Sequence, residues 1–156
     1  MSVKIGEKAP VFTLYSSDKQ PVSLENYKGK KVVLLFFPLA FTSVCTTELC
    51  AMRDDINIYN DLNAQILAIS VDSPQTLNRF KQDQNLNFTL LSDFNKEVSR
   101  IYDALYEEFS LGMRGVSKRA AFVIDKDGTV RYAEVLESAG DLPNFEAIKQ
   151  ILAKLN

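Results

Sequence analysis

Histidine is absent from all 156 residues, and cysteine occurs only twice, at Cys45 and Cys50. The first absence excludes Ser-His and Cys-His hydrolases, because their nucleophiles are activated by an imidazole base. The second excludes a disulfide-scaffolded domain and a structural zinc site, which wants about four Cys or His ligands. No metal and no cofactor is therefore expected. Long apolar runs are also missing; none approaches the roughly 20 residues of a membrane span. The opening MSVKIGEKAPVF lacks the charged-then-apolar order of a signal peptide, so the expectation is a cytoplasmic protein. A formal net charge of −2 leaves no basic excess for nucleic acid or an anionic membrane. Repeats, low-complexity segments and linkers are not visible, and the length suits one domain over 1–156 with a real core.

What is present reads as alternating strands and helices. Strand signals fall at Val32 to Phe37, Ile66 to Val71, Ala120 to Ile124 and Val130 to Val135. The first two are nearly continuous apolar runs, as in strands covered on both faces. Helices are expected over Thr46 to Asn63, over Ser73 to Gln84 with Ser73 as N-cap and Pro74 at the first position, over Asn95 to Tyr102, and over the amphipathic Asn144 to Leu155. Asp125 to Gly128 (DKDG) separates two strand-like runs as a hairpin turn. The order predicts an α/β sandwich with a central mixed sheet flanked by helices.

The two cysteines lie in FFPLAFTSVCTTELC, Phe36 to Cys50, where a strand stops at Pro38 and a helix begins. Cys45 is expected in that helix's first turn, where unpaired N–H groups and the macrodipole favour a thiolate. The Thr42 hydroxyl, three residues earlier, is near enough to donate to the sulfur or to a bound oxygen. The plainer alternative is a small apolar filler at a strand-helix junction. On a wheel of about 100° per residue, Leu49, Met52, Ile56 and Tyr59 mark the core face with Cys45, while Cys50 groups with Arg53, Asp54 and Asn57. That polar placement suits a resolving thiol; the alternative is an idle surface cysteine. Five residues of intact helix separate the two Cα atoms by about 8.6 Å, whereas disulfides rarely span more than about 7 Å. An internal disulfide would therefore require the first turns to unwind.

The string Pro38-x-x-x-Thr42-x-x-Cys45 with Glu48 following resembles the active-site signature of the peroxiredoxins, thiol peroxidases on a thioredoxin-like fold. The resemblance continues through Gly115 to Tyr132 (GVSKRAAFVIDKDGTVRY), GEKAPVFTL and LLSD at Leu90 to Asp93, and so spans essentially the whole chain. It implies that Cys45 is the peroxidatic cysteine, whose thiolate attacks the peroxide O–O bond and becomes a sulfenic acid. Thr42 would hydrogen-bond the peroxide and the sulfur. Arg119 would hold the thiolate and polarise the departing oxygen, Glu48 would orient Arg119, and Pro38 would shield the sulfenic acid from water. Without the motif, Arg119 beside Lys118 and Arg114 reads as a surface cation. The five-residue step to Cys50 is similar to the peroxiredoxin Q, or bacterioferritin comigratory protein, branch, in which the second cysteine resolves the first; FFPLAFTSVC looks more like the AhpE-like branch, many of whose members use one cysteine and an external thiol. The implied partners are a peroxide substrate, hydrogen peroxide or an organic hydroperoxide, a thioredoxin-like or other dithiol reductant, and a second copy in a homodimer. A dithiol oxidoreductase would want Cys-x-x-Cys, and a non-catalytic redox sensor would keep Cys45 without turnover.

Overall fold

The computed structural model describes residues 3–155. Two short strands, β1 (Thr13–Ser16) and β2 (Pro21–Ser23), lead to β3 (Lys31–Phe36), then α1 (Ser43–Asp54), α2 (Ile56–Asp61) and β4 (Ala64–Ser70). There follow α3 (Pro74–Gln84), β5 (Thr89–Ser92), α4 (Glu97–Ile101), β6 (Ala120–Ile124), β7 (Val130–Val135) and α5 (Phe145–Lys154). The strands form one sheet in the order β2-β1-β5-β4-β3-β6-β7. β3, β4 and β5 run parallel, while β1, β2, β6 and β7 pair antiparallel, which gives the mixed sheet.

The apolar runs put β3 and β4 at the centre because only there are both faces covered. Val33, Leu35 and Phe37 face Leu49 and Met52 of α1, Phe80 of α3 and Ile148 and Leu152 of α5. Val32, Leu34 and Phe36 face the opposite layer, where Tyr102 packs its ring 5.4 Å from Phe36 and 5.2 Å from Phe122. The caps follow from the sequence: Ser73 Oγ accepts from Thr76 N at 3.1 Å, and Asn144 Oδ1 accepts from Ala147 N at 3.0 Å. In the hairpin, Asp125 Oδ1 accepts from the backbone of Asp127 and Thr129, and Gly128 takes the positive φ of 84° that the turn needs.

Three departures have physical causes. The helix expected over Thr46 to Asn63 breaks at Asp55 (φ −98°, ψ 12°), whose carboxylate pairs with Lys149 of α5 at 2.8 Å. The helix expected over Asn95 to Tyr102 contracts to α4, because Lys96 precedes it at φ 66°. The strands β1, β2 and β5 have only 4, 3 and 4 residues, too few for an apolar alternation to stand out.

Candidate active site

Beyond β3 the backbone of Phe37 still donates to Ile69 O at 2.9 Å, and then buried Pro38 ends the ladder. The following loop is tied to the end of β4: Asp72 Oδ2 accepts from Ala40 N at 2.8 Å and from Ser70 Oγ at 2.6 Å. Phe41 sits at φ 67°, a conformation costing a non-glycine residue about 1–2 kcal/mol. Its ring lies 5.1 Å from that of Phe80, which holds the strained residue in place. Thr42 is the N-cap residue of α1, and Thr46 N donates to its carbonyl at 2.9 Å.

This geometry places Cys45 in the first turn of α1 with 1% of its surface exposed. The sulfur is not merely packed among apolar groups, as a filler would be. Arg119, just ahead of β6 and also 1% exposed, directs Nη1 and Nη2 at Cys45 Sγ, each at 3.4 Å. The outer proton of Nη1 goes to Glu48 Oε1 at 2.6 Å and that of Nη2 to Ala139 O at 2.9 Å. A carboxylate on one side and a carbonyl on the other thus fix the guanidinium plane, and its two inner protons converge on the sulfur.

The electrostatics follow from burial. Desolvation pushes the Glu48 carboxyl up to about 7, against the lowering pull of Arg119. Burial works against the Arg119 charge as well, but Glu48 and Cys45 outweigh it and hold the guanidinium above its ordinary value. With a cation and a helix N-terminus facing one buried sulfur, the cluster can stabilise a thiolate with no imidazole, and the same cation can receive negative charge on an oxygen displaced by it.

The structure brings Cys45, Glu48 and Arg119 into direct contact, with Thr42 at the N-cap of the same helix and Pro38 in the loop before it. One detail differs: the Thr42 hydroxyl donates to Leu39 O at 2.7 Å and not to the sulfur, so its proton is committed and its oxygen is left with acceptor capacity only. Cys50 stands apart, half-buried on the other side of α1, where its thiol donates to Gln84 Oε1 at 3.5 Å. Arg53 Nη1 donates to Gln84 O at 2.6 Å on that same side, and both cysteines are free. The sequence reading missed Asp72 and the Ala139 carbonyl. The first acts through a backbone N–H and the second is backbone itself, so neither has a residue-type signature.

A family model described as "AhpC/TSA family" matches residues 5–133. A Coxiella burnetii protein named "Putative peroxiredoxin bcp" is 39% identical over 132 residues, covering 83% of this chain and 87% of that one. "Alkyl hydroperoxide reductase E" of Mycobacterium bovis is 38% identical over 136 residues, covering 85% and 86%. The crystal structure of peroxidoxin BcpB from Mycobacterium tuberculosis superposes with a TM-score of 0.87 at 27% identity, over 99% of each chain.

Proposed function

The chain belongs to the AhpC/TSA family and is a peroxiredoxin, a thiol-dependent peroxidase with a thioredoxin-like fold, and from that premise we propose how its residues divide the reaction. The Cys45 thiolate attacks the terminal oxygen of hydrogen peroxide or an organic hydroperoxide. The O–O bond breaks, a Cys45 sulfenic acid forms, and the departing oxygen leaves as an alkoxide or hydroxide that takes up a proton. Arg119 holds the thiolate and receives the charge developing on that oxygen. Glu48 fixes Arg119, the Thr42 oxygen accepts the peroxide O–H, and Pro38 keeps water from the sulfenic acid. The observation that carries this reading is the pair of 3.4 Å approaches of Arg119 to Cys45 Sγ.

Cys50 then resolves the intermediate within the chain: its thiolate attacks the Cys45 sulfenic sulfur, forming a disulfide and releasing water. The support is its half-buried position on α1, one helical turn and a half from Cys45 and outside the apolar stripe. Because the intact helix keeps the sulfurs apart, resolution begins with local unwinding of α1. A thioredoxin-like dithiol reduces the disulfide, and the family's habit of pairing supports a homodimer. Two cysteines are too few for the disulfide scaffolds of oxidising compartments, which supports the cytoplasm.

The test is peroxide consumption with a dithiol reductant in excess. An enzyme with this cycle consumes many equivalents of peroxide per chain; a redox sensor stops after one, and that outcome would overturn the reading.

A further inference from the structure

Arg119 is braced by Glu48 on one side, but the brace on the other side is a loop carbonyl, and a carbonyl is only as well placed as its loop. The segment from Leu136 to Asn144 joins β7 to α5. Leu136 N donates to Arg119 O at 2.9 Å, and at the far end Asn144 N donates to Glu134 Oε1 at 3.0 Å. Between these ends, two side chains from outside the loop grip Glu137, two residues before Ala139. Tyr106 Oη donates to Glu137 O at 3.0 Å, and Lys118 Nζ pairs with Glu137 Oε1 at 3.1 Å. The two grips support each other, since Lys118 Nζ also stands 5.9 Å over the Tyr106 ring, which is itself stacked 5.4 Å from Phe109.

We propose that Tyr106 and Lys118 are positioning residues for peroxide reduction: by clamping Glu137 they set the Ala139 carbonyl that holds Arg119 over Cys45. Neither side chain has a partner in the reaction itself as derived above. Burial pushes the Tyr106 phenol up, Arg119 draws it down and Glu137 adds to the rise, so Tyr106 keeps its proton as a donor at neutral pH and lies within the electrostatic reach of the arginine. The Lys118 pair alone is weak, because Glu137 is largely exposed and such pairs contribute little. Most of the grip therefore comes from the Tyr106 hydroxyl on a backbone carbonyl, with Lys118 holding the ring and the carboxylate in register. Among the described residues Arg119 Nε has no partner, so no second hydrogen bond there compensates along that edge when the carbonyl drifts.

The inference rests on Arg119 acting on Cys45 as proposed above, and the experiment separates the two. The measured quantity is the second-order rate of Cys45 with hydrogen peroxide in the first turnover, which does not involve Cys50. Tyr106→Phe deletes only the hydroxyl and is expected to slow this step roughly three- to tenfold, the worth of one positioning hydrogen bond, with an unchanged circular dichroism spectrum. Lys118→Met is expected to slow it by about two- to threefold, and Lys118→Arg to restore most of the rate. In an Arg119→Lys background, which keeps a cation near Glu48, adding Tyr106→Phe should cost about twofold or less, because the group it positions is gone. An unchanged rate in Tyr106→Phe, or an equal loss in the Arg119→Lys background, overturns the clamp. An unchanged rate in Arg119→Lys itself overturns the reading beneath it.

Discussion

Glu48 and Arg119 meet at 2.6 Å in the interior, with side chains 0% and 2% exposed, and only one of the two carboxylate oxygens is used. A buried pair of this kind is weak support for stability, since desolving both charges offsets most of their attraction. Its value lies in geometry: it fixes the cation that faces Cys45.

The first prediction concerns pH. The Glu48 carboxyl is raised from its ordinary 4.5 to about 7 in the folded protein, chiefly by burial. Between these values the folded chain keeps a proton that the unfolded chain has lost. The stabilisation from this group is therefore complete below about pH 4.5 and disappears as pH rises through about 7. Its full size is on the order of 3 kcal/mol. Glu48→Gln has no such proton to lose, so the stability difference between wild type and variant, measured by urea unfolding, should move against the wild type from pH 5 to pH 8. A difference that stays constant over that range would show that Glu48 is ionised throughout.

The second prediction concerns the two groups at the sulfur. Cys45→Ser should abolish peroxide reduction, because a serine hydroxyl is not ionised near neutral pH and the sequence holds no histidine to activate it. Arg119→Ala should slow the first turnover roughly 100- to 1000-fold, the usual loss when one preorganised donor is removed from a charge-developing step. The fold should survive, because Glu48 can remain protonated once its partner is gone. A folded Arg119→Ala protein with the wild-type rate would return Arg119 to a structural role.

The third prediction concerns the Thr42 hydroxyl. Its hydroxyl proton is committed to Leu39 O at 2.7 Å, leaving the oxygen to accept a peroxide O–H. Thr42→Val should therefore slow the peroxide step by about tenfold or more, while Thr42→Ser keeps most of it. Equal rates for the two variants would show that the Thr42 hydroxyl takes no part in the peroxide step.

These residues were legible to different degrees, for reasons that lie in the chemistry. β3 and β4 stand out because strands buried on both faces need uninterrupted apolar runs, and Cys45 stands out because a strand that stops at Pro38 ahead of a helix fixes where the sulfur goes. Arg119 is the instructive case. Between Lys118 and Ala120 nothing in its local pattern distinguishes a buried cation from an exposed one, and only its resemblance to a family motif separated it from Arg114. The short strands β1 and β2 escaped because their pairing, not their composition, makes them strands. Ala139 escaped because a backbone carbonyl acts without regard to its side chain.

The final prediction concerns Cys50. Its thiol faces Gln84 and not Cys45, and α1 is continuous through both cysteines. If Cys50 resolves the sulfenic acid, one equivalent of peroxide should yield a Cys45–Cys50 disulfide within the chain, with lost helical signal and faster amide exchange over Thr46 to Arg53. Cys50→Ser should react with the first equivalent at an unchanged rate, because the peroxide step does not involve it. It should then accumulate sulfenic acid, over-oxidise under excess peroxide and lose turnover with a thioredoxin-like dithiol, while monothiols that attack the sulfenic acid directly retain some. Mass spectrometry of the oxidised wild type decides between the cycles. A loss of two hydrogens with both cysteines linked in one peptide supports internal resolution, whereas a persistent oxygen adduct on Cys45 with Cys50 free assigns the recycling to an external thiol.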